Sequence, residues 1–205
     1  MRPRVILIGG ASIAGKTTLA LRLAAQWKYA CFSTDDIGTA LHAITTPDTH
    51  PVLHARRGQT SLRYYLETPL EQILEDDQRE RAAIWPAAAS IIRQHASWRC
   101  RAVIEGDALH PDWIEAAAFY GVKSLWLDIS GPFISNRFTH DADFQRWSEA
   151  NPRVLEVFVQ RSVRHNRNLI QSARRLGWPV MRVQETDDRD EMLEDALRLL
   201  ARKPE

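Results

Sequence analysis

The residues with the most specific chemistry stand close to the start of the chain. Gly10-Ala11-Ser12-Ile13-Ala14-Gly15-Lys16-Thr17 sets a lysine and a hydroxyl side by side, directly behind a short stretch framed by two glycines. Glycines let such a stretch fold tightly, so that several backbone N–H groups point into one concavity. A helix starting at its end adds its positive N-terminus. That concavity suits phosphate. Lys16 supplies a point charge that can follow β- and γ-phosphates, and the Thr17 hydroxyl is placed to ligate Mg²⁺, which keeps most of its waters. The pattern predicts a bound nucleoside triphosphate held by Gly10, Ala11, Ser12, Ile13, Ala14, Gly15, Lys16, Thr17 and Thr18. Two groups of carboxylates follow, Asp35 and Asp36 behind one short apolar run and Glu105 and Asp107 behind another. Phosphoryl transfer needs positioning, charge neutralisation and an acceptor for a hydroxyl proton, and carboxylates can serve the last two needs.

The elements that must position these groups are legible in outline. Val5–Ile8 is a short apolar run, as expected of a strand buried on both faces of a parallel sheet. Thr18–Trp27 carries Leu19, Leu23 and Trp27 at helical spacing. Ala30–Ser33, Ala102–Ile104, Lys123–Ile129 and Pro179–Val183 are the other strand candidates. A helix is expected over Ile37–Ala43, capped by Asp35 or Asp36 if these do no chemistry. Thr45 to Gly58, with two prolines, reads as loop or broken helix. Thr68 and Pro69 open a helix that runs to about His95, interrupted or kinked near Pro86. Pro111–Tyr120 reads as a helix closed by Gly121, Pro132–Thr139 as the start of another, and His140–Pro152 as irregular. A long helix runs from Pro152 to Gly177, and Glu191–Leu200 is a terminal amphipathic helix. Strands alternating with helices predict an α/β fold: the three-layer P-loop NTPase fold, a five-stranded parallel sheet covered by helices on both faces. With no repeat, linker or low-complexity tract, residues 1–205 read as one domain.

Composition narrows the function classes. Lys+Arg number 27 against 26 Asp+Glu, so the net charge of +1 gives no footprint for nucleic acid. Cys31 and Cys100 are far apart and form no C-x-x-C pair, as expected of reduced thiols in a cytoplasmic protein. No apolar run approaches a membrane span, and the apolar start lacks a cleavage-type site. The histidines show no ligand spacing for zinc. An Asn-Lys-x-Asp guanine motif and a Leu-Ser-Gly-Gly signature are both absent, which disfavours a GTPase and a transport motor.

The stretches Gly9-Gly10-Ala-Ser-Ile-Ala-Gly15-Lys16-Thr17-Thr18-Leu19-Ala20, Ser33-Thr34-Asp35-Asp36-Ile37 and Val103-Ile104-Glu105-Gly106 resemble the small-molecule P-loop kinases of the nucleoside-monophosphate-kinase superfamily. They look like 2-phosphoglycerate kinase. Over the first two motifs they also look like chloramphenicol phosphotransferase and zeta-toxin-type kinases. Uridine and nicotinamide riboside kinases share the P-loop, an aspartate after the second strand and a Glu-Gly after the next. The resemblance covers the first half of the chain by motif and the second half only by element order.

What the resemblance implies is an ATP- and Mg²⁺-dependent kinase acting on a hydroxyl of a metabolite, antibiotic or nucleoside. It gives Asp35 the role of binding and deprotonating the acceptor hydroxyl, and Glu105 that of holding a Mg²⁺-bound water. Asp36 is then a cap or a metal-water ligand, and Asp107 faces metal or acceptor. A lid is expected over about 137–153, with phosphate reached from among Arg137, Arg146, Arg161 and Arg164. Arg161, Arg164, His165 and Asn168 form one basic helix face, which also suits a solvated surface. The acceptor site is expected in an insertion over about 37–70, with His42, His54, Arg56, Arg57, Arg63 and Tyr64 as polar candidates. Arg56 and Arg57 suit an acceptor bearing phosphate or carboxylate, and equally a surface pair. Trp147, inside the lid, is expected to pack. Two alternatives remain open: a nucleotide-dependent binding or regulatory module, and a nucleotide kinase making diphosphates. The acceptor, a preference for ATP over GTP, and monomer against homodimer are not encoded in these motifs.

Overall fold

In the computed structural model, residues 2–56, 58–98, 100–184 and 188–201 are described, the side chain of Asp143 excepted. The first apolar run divides its side chains between two cores. Ile6 and Ile8 pack with Leu19, Leu23 and Phe138, while Val5 and Leu7 pack with Ile92, Trp126 and Leu169. A strand that is dry on both faces has no polar alternation to show, which is why this one reads as uniformly apolar. It is β1, Val5–Gly10. With β2 (Ala30–Ser33), β3 (Ala102–Glu105), β4 (Val122–Asp128) and β5 (Val180–Arg182) it forms a sheet in the order β2-β3-β1-β4-β5. All four pairings are parallel, with Ile8 beside Glu105 on one side and beside Leu125 on the other.

The helices among the described residues are α1 Lys16–Trp27, α2 Thr34–Ile44, α3 Ser61–Glu67, α4 Leu70–Ser97, α5 Pro111–Ala117, α6 Gly131–Thr139, α7 Ala142–Ala150, α8 Arg153–Arg175 and α9 Arg189–Ala201. The five-stranded parallel α/β architecture is the one expected from the sequence. Because β3 lies between β2 and β1, the chain crosses from β1 past β3 to β2. The carboxyl ends of these three strands therefore stand side by side, where open α/β sheets bind ligands. No helix among the described residues is long and apolar enough to cross a membrane.

Several local expectations are corrected. Neither Asp35 nor Asp36 is an N-cap: α2 starts at Thr34, and the Ser33 hydroxyl accepts from the Asp35 amide. The two aspartates occupy its first turn instead, where the helix dipole favours negative charge. Thr68 does not open α4; Pro69 is its N-cap, without a side-chain cap, and Thr68 ends α3, a helix not anticipated. Pro86 lies inside an unbroken α4. The segment taken as irregular, His140–Pro152, holds α7, whose Phe144 and Trp147 pack on Phe158 of α8. Polar residues on its outer side obscured that stripe. Helix α5 ends at Ala118 (φ 47°) rather than at Gly121.

Candidate active site

The cradle expected for phosphate is made of backbone. Ile13 and Gly15 both have left-handed φ, 63° and 87°, which turns the loop back under α1. The first bond of α1 runs from Leu19 N–H to the Gly15 carbonyl at 3.0 Å, so the amides of Lys16, Thr17 and Thr18 are directed out of the helix. Lys16 is only 8% exposed, and its ammonium donates to the Ala11 carbonyl at 2.9 Å. A cavity of about 390 Å³ lies over these groups, lined by Ile13, Gly15, Lys16, Thr17, Thr18 and Arg137. Arg137 reaches it from α6, its guanidinium 5.0 Å from the Phe133 ring.

Glu105 is the hinge of the site. It is 2% exposed, and its Oε1 accepts from the Thr17 hydroxyl at 3.2 Å. Burial raises its pKa, opposed by a hydrogen bond from Ser33 and by the charge of Lys16. Hydroxyl and carboxylate oxygens, so placed beside the loop, are the hard donors that Mg²⁺ takes alongside its waters. The residue after Glu105 determines how β3 meets α2. Gly106 has φ 137°, and a Cβ there would lie 1.9 Å from the Thr34 hydroxyl oxygen. Only glycine allows that approach, which lets Thr34 accept from the Ala108 amide at 3.3 Å and sets Asp35 and Asp107 into one wall.

That wall belongs to a second cavity, of about 340 Å³, lined by residues of α2, α3, α4, α8 and the segments after α2 and β3. Asp77, 4% exposed, sits at its floor and binds three arginines. Arg56 donates to it at 3.1 Å, Arg161 donates to it, and Arg81 lies 3.7 Å away. Arg56 also donates to Glu80. Arg81 donates to Asp107 at 2.8 Å, and His165 lies 3.2 Å from the same carboxylate. Burial would raise the Asp107 pKa, but Arg81 and His165 outweigh it and hold the group well below the usual range. Burial and the Arg81 charge push His165 down, against the pull of Asp107. Burial also works against the charge of Arg161, yet Asp77 more than compensates, and its pKa is raised.

Other expected site residues fall elsewhere. Arg164 pairs with exposed Glu71 at 3.2 Å, away from both cavities. Asp36 is exposed and lines neither cavity. Arg63 pairs with Glu67 one turn on, at 2.9 Å. Tyr64 donates to Asp76 at 2.7 Å and carries Arg56 over its ring, and His54 lies 3.0 Å from the Thr45 hydroxyl. Arg146 and Arg153 are exposed. Arg57 lies outside the described residues.

Solved structures share this fold along almost the whole chain. A sugar kinase from Janibacter sp. HTCC2649 superposes with a TM-score of 0.61 at 16% identity, covering 97% of this chain and 94% of its own. A gluconokinase from Sinorhizobium meliloti 1021 gives 0.56 at 18%, covering 98% and 94%. A shikimate kinase from Acinetobacter baumannii in complex with shikimate gives 0.53 at 12%, covering 98% and 93%. The chain has the fold of the P-loop small-molecule kinases. At these identities the likeness to such kinases is one of fold. No protein-family profile and no curated protein matches the sequence.

Within this kinase-like fold, Thr39, Tyr65, Asp77, Glu80 and Arg81 are the polar wall residues not expected from the sequence. A signal for two of them was present. Ile73, Asp77, Arg81, Ala88 and Ile92 share the buried side of α4, so Asp77 and Arg81 are charges at positions where helical spacing calls for apolar residues. Charges of opposite sign one turn apart on a dry face mark a paired, buried cluster.

Proposed function

We propose that the protein transfers the γ-phosphoryl group of ATP to a hydroxyl of a small molecule, with Mg²⁺. The observation that carries this reading is the juxtaposition of two cavities at adjoining strand ends, one walled by Lys16 and Thr17 and the other by Asp35 and Asp107. Loop amides and Lys16 hold the triphosphate, and Arg137 closes over it from the segment 137–153, which acts as a lid. Thr17 and, through a bound water, Glu105 would hold Mg²⁺, which when bound would neutralise phosphate charge. Asp35, exposed in the first turn of α2, binds the acceptor hydroxyl. As that oxygen bonds to the γ-phosphorus, the bond from phosphorus to the β–γ bridging oxygen breaks. ADP leaves, and the hydroxyl proton passes to the Asp35 carboxylate. Arg161 and Arg56 shape the acceptor pocket through Asp77, and Arg164 acts only at the surface.

Asp35→Asn tests the assignment. Transfer measured over an acceptor panel is expected to fall roughly 10²- to 10⁴-fold, with ATP binding unchanged. Full transfer by this variant rules out Asp35 as the base.

A further inference from the structure

The charges of the second cavity restrict what it can accept. Its described wall contains four carboxylates, Asp35, Asp77, Glu80 and Asp107, against three guanidinium groups, Arg56, Arg81 and Arg161. One negative charge is left over. Each arginine is also committed: Arg56 to Asp77 and Glu80, Arg81 to Asp107, and Arg161 to Asp77. Asp77 and Arg161 are 3% and 11% exposed, so a ligand cannot take over either partner without leaving the other buried and unpaired. Asp35 is the one wall carboxylate with no ion pair among the described residues. Hydrogen bonding to a ligand there falls to carboxylate oxygens, Thr39 and His42, whereas an incoming anion would find its guanidinium partners occupied and Asp35 repelling it.

We infer that this cavity takes a hydroxylated acceptor with no acidic group, neutral or amino-bearing, and rejects phosphorylated and carboxylate-bearing compounds. Such an acceptor donates its O–H and N–H groups to Asp35 and Glu80, and the wall arginines keep the pocket rigid while their N–H groups stay on their carboxylates. The inference rests on the kinase reading for its chemistry, but the charge of the cavity can be measured independently.

The first measurement uses Thr39→Cys on the wall, in a protein with Cys31→Ser and Cys100→Ser. The thiol is labelled with a cationic and an anionic methanethiosulfonate of similar size. A small neutral thiol, 2-mercaptoethanol, serves as the reference, because Arg99 and Arg101 flank Cys100 and would themselves bias the ratio. The ratio of cationic to anionic rate at Thr39→Cys is expected to exceed the reference by roughly tenfold, as one net charge acts on opposite unit probes a few ångströms away. Adding Glu80→Gln removes the surplus charge and should erase most of that excess. A ratio at Thr39→Cys no higher than that of the reference overturns the inference.

The second measurement uses γ-labelled ATP with a metabolite extract split on an anion exchanger. Label is expected to transfer to compounds of the unretained fraction and to fall several-fold or more in the retained one. Equal or greater transfer to the retained, acidic fraction overturns the inference and leaves the kinase standing. Transfer to neither fraction, with ATP bound, overturns the kinase reading and the acceptor class with it.

Discussion

The two cavities are made by different means. The phosphate cradle uses contiguous backbone, two left-handed residues and one helix N-terminus, and Lys16 and Thr17 are its main side-chain groups. The cavity beside it uses residues from four helices and two connecting segments, joined by ion pairs over Asp77 and Asp107. A backbone site tolerates changes around it because amides cannot be substituted away. An ionic lattice is cooperative and brittle, since each group is matched only while its partners remain. The first region therefore loses function when its few side chains change, and the second loses stability.

The largest expected effect tests the cradle. Lys16→Ala should lower kcat/KM about 10³-fold while leaving the urea midpoint close to wild type. A large loss of stability would mean that Lys16 is structural and would blur the contrast. Asp77→Ala should do the reverse, leaving the buried Arg161 guanidinium unmatched and destabilising the fold by roughly 3–5 kcal/mol in urea unfolding. A change below about 1 kcal/mol would show that solvent reaches the lattice and that the two regions do not differ as described.

Glu105, which bridges the regions, should behave as part of the cradle. Glu105→Gln is expected to weaken Mg²⁺ binding by roughly tenfold, read by titration in the presence of ADP. In the native protein the carboxyl pKa is raised by burial, so Mg²⁺ affinity should already be falling above the ordinary glutamate value of about 4.3 as pH is lowered.

The smallest expected effect lies in the lattice. His165 has a folded pKa below its unfolded one, so the stability it contributes is present above about pH 6.5 and lost as pH falls through the folded value. Asp107 is also held low, and its contribution is lost at lower pH still. His165→Asn keeps a donor near Asp107 and should flatten the stability profile below about pH 6.5. An unchanged acid limb would remove His165 from the coupled set.

How much could be read beforehand follows the same division. Five strands and the helix behind Gly15 were legible, because a doubly buried strand and a P-loop are each encoded in a few adjacent residues. Asp35 and Glu105 were legible as strand-end carboxylates. Helix α7 was missed because its apolar residues are spaced among polar ones in a short segment with little periodicity to count. Asp35 and Asp36 read as caps, but the cap is Ser33, because β2 ends on that residue and α2 begins at the next with no loop between them. The Arg56-Arg57 pair suggested an anionic acceptor, but the ion pairs of Arg56 depend on residues of α4 that no local pattern connects to it.

By itself the sequence determined where the glycine loop turns into α1 and which chain segments become strands, since amide direction and local burial depend on neighbours in the chain. Only the tertiary structure decided which charges neutralise one another. Arg56 and Arg161 meet on Asp77 from 21 and 84 residues away. The state of a charged group is set by what stands within a few ångströms of it and by how much water reaches it, and neither quantity is a function of sequence separation.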